Sequence, residues 1–441
     1  MKKTLVVMLA LFLAIPAISY AGSATSRWDL TIGGDIKFDM GWADQSGAMS
    51  SDLWAGGVPD RDTSSGNSNA ANKFGNQIWG AGETSLNFFI KGPDAWGAKT
   101  HAFILGDFTG VWGAYAGAPP ANYNMFDLLI ADIGFDWEHT SLDFGANGSF
   151  FGVVPTFSLS NSWNFDGYGG KGAAPVNPQV TVTERFTKEW SAGFGVMSPY
   201  NIVDAVVSPA GTSPPAGTGA TYNENVMRNP LPAFEGKIAY SSDSCGKVGP
   251  WQLLAEVDGF YGQQRQINAA LDHKDVDEWF GDFKFLIPII PEKNGNKTSA
   301  LYVDGEIFWT QGAGGSGNWL AQAGPPWLTT DYTRADPNDW HAATMWGVVG
   351  HGQFYFTDQV SFNAFYLWSQ VDASNALRVQ NALGGVTGGY QWAVNLMYDV
   401  NPAVRFVMEW DYSNDKYAWP VAGYKNYGSQ DVWRFSAYYY F

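Results

Sequence analysis

The chain has 441 residues, 15% of them charged and 45% hydrophobic, with a formal net charge of −17. Ordinary soluble domains carry roughly 25% charged residues, and an acid surplus of this size argues against a nucleic-acid partner, which needs basic side chains. Cys245 is the single cysteine, which excludes an internal disulfide and a Cys-based metal site.

Lys2 and Lys3 precede an apolar run from Leu5 to Ile18, and Ser19-Tyr20-Ala21 supplies small residues at the cleavage positions of a secretory signal. A signal peptide is expected over 1–21, followed by a single domain over 22–441. The apolar run is short for a membrane span, and no later stretch approaches the ~20 apolar residues of a membrane helix.

From 28 onward the chain has a period of two. Trp28, Leu30, Ile32, Gly34, Ile36, Phe38 and Met40 alternate with Asp29, Thr31, Gly33, Asp35, Lys37 and Asp39. A helix would scatter these apolar groups around its circumference, so a strand is predicted. The pattern recurs at 83–91, 98–108, 126–138, 140–150, 179–187, 189–197, 233–241, 250–262, 276–287, 298–310, 343–356, 359–371, 389–400, 403–413 and 431–441. That makes sixteen segments, most near the ~9–11 residues that cross a bilayer at a tilt.

The connections alternate in length. Long ones cover 41–82, 109–125, 151–178, 198–232, 263–275, 311–342, 372–388 and 414–430. Short ones fall at 92–97, 139, 188, 242–249, 288–297, 357–358 and 401–402. An up-and-down meander with turns at one end and loops at the other is expected, closed so that lipid meets no free strand edge. The fold class is therefore all-β, a transmembrane antiparallel barrel of about sixteen strands. Cys245 sits in Ser242-Asp243-Ser244-Cys245-Gly246, which reads as a turn. The tip 208–217, rich in Ser, Pro, Ala and Gly, carries no assigned role.

Tryptophans mark strand ends. Trp28, Trp137, Trp190 and Trp251 adjoin the short turns, and Trp279, Trp309, Trp346, Trp368, Trp392, Trp410 and Trp433 adjoin the long loops. Two interfacial belts are expected. If the apolar faces meet lipid, the polar faces line a lumen. Those faces carry Asp35, Asp39, Asp107, Glu256, Asp258, Asp304 and Glu306, with fewer bases, among them Arg185, Arg405 and Arg434. An acid surplus concentrates cations in a confined aqueous space.

The last strand places Trp433, Phe435, Ala437, Tyr439 and Phe441 on one face. It resembles the C-terminal assembly signal of bacterial outer-membrane barrels, which an assembly machinery reads; Phe441, Tyr439 and Phe435 are its expected residues here. With strand count, loop sorting and signal peptide, the chain resembles the sixteen-stranded general porins of Gram-negative bacteria. That resemblance implies an outer-membrane location, contact with lipid and lipopolysaccharide, a homotrimer, and passive diffusion of ions and small hydrophilic solutes without a cofactor. It also implies that the third long loop, 151–178, folds inward and narrows the pore. Asp166, Lys171, Trp163 and Tyr168 are then the constriction residues. The loop departs from many general porins in holding Asp166 as its only acid.

Enzymatic chemistry is not expected. His101, His139, His273, His341 and His351 lack a neighbouring Ser-His pattern, and His101 and His351 read as hydrated lumen residues. Acidic clusters at Asp272, Asp275, Asp277 and Glu278, and at Asp331, Asp336 and Asp339, read as solvated loops, with divalent-cation bridging of lipopolysaccharide as the alternative. Two other readings compete with a general porin. One is a sugar-type channel with a slide of lumen aromatics such as Phe103, Tyr302, Phe308 and Tyr438. The other is a structural or adhesive barrel that binds a partner through its loops.

Overall fold

The structure is a computed structural model that describes residues 28–44, 75–110, 125–150, 176–198, 231–267, 273–311, 344–372, 386–417 and 422–441. The expected signal peptide and most of the eight long connections lie outside these residues. In chain order the strands are β1 (Asp29–Ala43), β2 (Asn76–Gly80), β3 (Ser85–Lys91), β4 (Lys99–Gly110), β5 (Met125–Asp136) and β6 (Thr140–Gly148). Next come β7 (Val176–Arg185), β8 (Trp190–Met197), β9 (Ala233–Val248), β10 (Trp251–Ile267), β11 (His273–Ile290) and β12 (Leu301–Gln311). The series ends with β13 (Thr344–Tyr355), β14 (Val360–Asp372), β15 (Val386–Asn401), β16 (Val404–Tyr417) and β17 (Tyr427–Tyr440).

Each strand pairs antiparallel with its neighbours, and β1 closes on β17. β2 and β3 both pair with β1 and form one interrupted wall strand, so seventeen segments make a closed sixteen-strand barrel. β2 lies within the long connection 41–82 read from the sequence, and the interruption at 81–84 straddles its boundary with the strand read over 83–91. Thr84 N donates to Ala81 O at 3.1 Å, and Lys37 N donates to Thr84 Oγ1 at 3.2 Å, so a hydroxyl stands in for a ladder carbonyl. At the seam Gly34 N donates to Phe441 O at 3.2 Å, and Phe441 N returns a bond to Gly34 O at 3.1 Å. Gly34 has φ +151°, and a Cβ there would collide with the Ser85 carbonyl, so β1 needs glycine where it lies between β3 and Phe441.

The wall is inside-out relative to a soluble protein. Ile36, Phe38, Met40 and Trp42 are exposed on the outer face of β1, while Lys37 and Asp39 are 2% and 4% exposed on the inner face. The same alternation runs through β12, where Ile307 and Trp309 face out and Asp304, Glu306 and Phe308 face in. Apolar side chains turned outward need an apolar solvent, and charges turned inward need water or partners.

At the long-loop end several tryptophans stand opposite one another in register. Trp309 pairs with Trp346, Trp410 with Trp433, and Trp433 with Trp42. Their rings touch in the Trp346–Trp368 and Trp392–Trp410 pairs at 4.5 and 4.3 Å. Trp28 and Trp190 are exposed at the opposite end, as expected. Trp251 is a correction to that belt. It packs at 6.5 Å against the inward-facing Tyr302, inside the wall.

Ser242–Gly246, read as a turn, belongs to the extended β9, which runs to Val248. The ladder to β10 steps from Ser242–Leu253 directly to Lys247–Gln252, so residues 243–246 loop out of the pairing as a bulge. The turn residues there satisfy that bulge, and the apolar Val248 returns the chain to the wall.

Candidate functional site

Among the described residues the inner face holds several groups of charge. At the β1–β17 seam, Lys37 is ion-paired with Glu83 and lies 3.3 Å from Asp39. Ser436 donates to Asp39, and Ser85 Oγ donates to Asp35 Oδ1 at 2.5 Å. The Lys37 ammonium also sits 5.3 Å from the centroid of the Tyr438 ring. A buried cation is tolerated only when partnered in this way.

On β9–β12 the register brings acids of neighbouring strands side by side, with Asp258 opposite Asp282 and Lys284 opposite Glu306. Lys284 Nζ bridges Glu256 and Asp258 at 2.7 Å each, and Lys237 lies 3.8 Å from Glu256. The bridging ammonium offsets the repulsion between carboxylates placed across strands. Into this cluster comes Phe150, the last described residue before 151–175. Its N–H donates to Glu235 Oε2 at 2.8 Å, its carbonyl accepts from Lys284 Nζ at 3.0 Å, and Lys237 lies 4.7 Å from its ring centroid. Gly193 on β8 clears space for that ring, since a Cβ there would approach it to 2.8 Å.

A third network crosses β12 to β16. His351 Nδ1 meets Asp304 Oδ2 at 2.7 Å, and His351 Nε2 meets Asn363 Oδ1 at 3.1 Å. Asn363 Nδ2 donates to Asn395 Oδ1 at 2.7 Å, and Asn395 Nδ2 donates to Glu409 Oε2 at 2.9 Å. Five wall strands are thereby joined on their lumen side. His351 is 5% exposed, so it is a buried network member and not the hydrated residue its isolation in sequence suggests.

At the short-turn mouth Arg405 grips Asp399 with Nε and Nη2 at 2.5 and 3.1 Å. The guanidinium lies 5.6 Å from the Tyr440 centroid, and Tyr440 stacks on Tyr438 at 5.7 Å.

Of the predicted lumen residues, Asp39, Asp107, Asp258, Asp304, Glu306 and Arg434 are buried on the inner face, and Asp35, Glu256 and Arg405 are half-buried there. Arg185 is exposed at the end of β7 and donates to Ser141 Oγ at 3.0 Å. The thin arginine cluster read from Arg185, Arg405 and Arg434 divides accordingly: Arg405 pairs with Asp399, while Arg185 lies at a strand end. Tyr302, Phe308 and Tyr438 are more than nine-tenths buried and present no open aromatic slide. Tyr439 and Phe441 face outward, about half exposed, with Phe435 half-buried beside them. Asp166, Lys171, Trp163 and Tyr168 lie outside the described residues, as do Asp272 and Asp331–Asp339. Asp277 is described, and accepts hydrogen bonds from Tyr261 and Gln263. Sequence reasoning did not single out Glu83, Phe150 or Asn363, whose partners come from distant strands.

No family model and no curated protein matches the chain. Solved structures do. The outer-membrane channel DcaP of Acinetobacter baumannii is similar at 15% identity and TM-score 0.65, over 95% of this chain and 99% of that one. The anion-selective porin of Comamonas acidovorans matches at 11% identity and TM-score 0.53, over 94% and 100%. Salmonella typhi OmpF, solved with daunomycin, matches at 12% and 0.51, over 93% and 97%. At these identities the likeness speaks for fold, and the fold is that of the sixteen-stranded outer-membrane porins.

Proposed function

We propose that the barrel is an outer-membrane porin through which ions and small hydrophilic solutes diffuse passively, with a preference for cations. The observation that carries this reading is the inside-out wall, charged within and apolar without. In the bacterial outer membrane such a wall meets lipid and lipopolysaccharide on its outer face, with the short turns toward the periplasm. The proposed domain plan is a signal peptide at 1–21 and one barrel domain over 22–441. A trimer and delivery by the barrel-assembly machinery complete the reading.

The preference for cations rests on the lumen charges, where carboxylates outnumber ammonium and guanidinium groups. One similar barrel is named an anion-selective porin, so the shared fold leaves the sign of selectivity to those charges. The constriction is assigned to loop 151–178, with Asp166, Lys171, Trp163 and Tyr168. Phe150 supports this, because the chain is already bound to the inner faces of β9 and β11 where the loop begins.

A planar-bilayer recording tests the reading. In a tenfold KCl gradient, discrete current steps and a reversal potential favouring K⁺ are expected, weakening as salt screens the wall. Absence of steps, or a preference for Cl⁻ at low salt, rejects it.

A further inference from the structure

The bulged end of β9 packs against the inner wall together with the connection between β11 and β12. Leu286, Tyr302 and Tyr355 alternate with outward-facing Phe285, Val303 and Phe354, so they belong to the inner faces of β11, β12 and β13. Val248, at the end of β9, is fully buried in one apolar cluster with them and Ala300. Val248 thus shares a buried cluster with inner-face side chains of strands beyond β10, the strand that β9 pairs with. The tip is also tied down by backbone contacts. Glu292 N donates to Lys247 O at 2.8 Å, and Gly249 N donates to Glu292 Oε2 at 2.7 Å. Tyr302 is fixed in turn, donating to Gln353 Oε1 at 2.6 Å, and Gln353 donates to Ser361 Oγ at 2.9 Å. Asp243, Ser244 and Cys245 are the exposed crest of this inward-folded tip.

We propose that residues 243–249 form a second narrowing of the permeation path, at the short-turn mouth, separate from the narrowing assigned to loop 151–178. The tip hangs from the wall at β10–β13. Its polar crest contributes the Asp243 carboxylate to the lining of the exit, so it filters by size and adds to the discrimination against anions. Its apolar underside is the seat that holds it in place, and burial of Val248 keeps it from swinging free. This inference rests on the channel reading above.

The native protein supplies its own probe, since Cys245 is its only cysteine. In a planar bilayer, a cationic and an anionic methanethiosulfonate reagent are added in turn to the short-turn side of the unmodified channel. Both are expected to reduce single-channel conductance stepwise, the cationic reagent lowering and the anionic one raising the preference for K⁺. Cys245→Ser is expected to abolish both effects. In a second arm Val248→Asp, which unseats the tip, is expected to raise conductance and admit larger sugars in liposome swelling. A channel whose labelled form keeps its conductance and ion preference overturns this proposal alone, even if Val248→Asp fails to fold. A protein that never shows current steps overturns the channel reading and this proposal together.

Discussion

The carbonyl oxygen of Phe150 accepts a hydrogen bond from Lys284 Nζ at 3.0 Å, across 134 residues of sequence. The same residue's N–H is taken by Glu235. The chain that leaves β6 is thus attached to β9 and β11, walls it does not adjoin, before loop 151–178 begins. Substitution of Phe150 itself would leave both backbone contacts in place, so their partners are the points to test. Glu235→Ala removes the acceptor, whereas Glu235→Gln retains a side-chain oxygen. Larger single-channel conductance and a larger solute cutoff are expected for Glu235→Ala, with Glu235→Gln close to the parent. Matching conductance in all three proteins would detach the loop root from the permeation path.

The network through His351 should matter to stability more than to current. Its ring bonds Asp304 on one side and Asn363 on the other, and Asn395 carries the connection to Glu409. His351→Ala removes both ring bonds at once inside a buried network. A loss of about 3 kcal/mol is expected, within the range for breaking buried, charge-assisted contacts. An exposed pair such as Glu138 with His139, 3.8 Å apart, is worth about 0–1 kcal/mol by comparison. Urea unfolding in lipid vesicles measures both, and a His351→Ala barrel as stable as a His139→Ala barrel would contradict the assignment.

The wall was legible because alternation is a local signal. Trp28 to Met40 announces β1 without knowledge of any other strand, and the contrast of long and short connections announces the meander. What escaped depends on pairing. β2 is hidden because Gly80-Ala81-Gly82 breaks the period, and the missing bond is supplied by Thr84, a contact to Lys37 that register alone creates. Ser242–Gly246 has the composition of a turn, yet its conformation is set by Val248 finding Leu286 and Tyr302 across the inner wall. Trp251 sits at a strand end like the belt tryptophans, and only Tyr302 on a different hairpin draws it inward. For His351, alternation gives the inward direction, but its partners belong to β12 and β14.

The outer face should tolerate charge according to depth. Val257 is 57% exposed near the middle of β10, and Trp190 is 48% exposed at the short-turn start of β8. Arg at the hydrocarbon midplane costs about 2–4 kcal/mol, falling to about 0–1 kcal/mol at the interface. Val257→Arg is therefore expected to destabilise the barrel several-fold more than Trp190→Arg. Equal losses in vesicle-based unfolding titrations would mean that the two positions do not differ in membrane depth.

The seam gives the last test. Phe441 exchanges two backbone bonds with Gly34, and its side chain lies on the outer face with Tyr439. Tyr440 points the other way, stacking on Tyr438 beneath Arg405. Deleting Phe441 removes both bonds at the point where the sheet closes, and it shortens the face on which an assembly factor would pair with the strand. Tyr440→Ser removes the half-buried cation–π contact with Arg405, the stacking on Tyr438 and the Arg405 bond to its hydroxyl, each worth about 0.5–1.5 kcal/mol, and leaves the ladder intact. A sharp fall in heat-modifiable, folded barrel is expected for the deletion and little change for Tyr440→Ser. Gly34→Val separates closure from recognition, because it disturbs the seam through the Ser85 carbonyl while leaving the terminal residues unaltered. If Gly34→Val lowers folded yield as much as the deletion, in detergent refolding without any assembly factor, closure is the step that Phe441 serves. If only the deletion lowers yield, and only in cells, its role is recognition of the terminal strand.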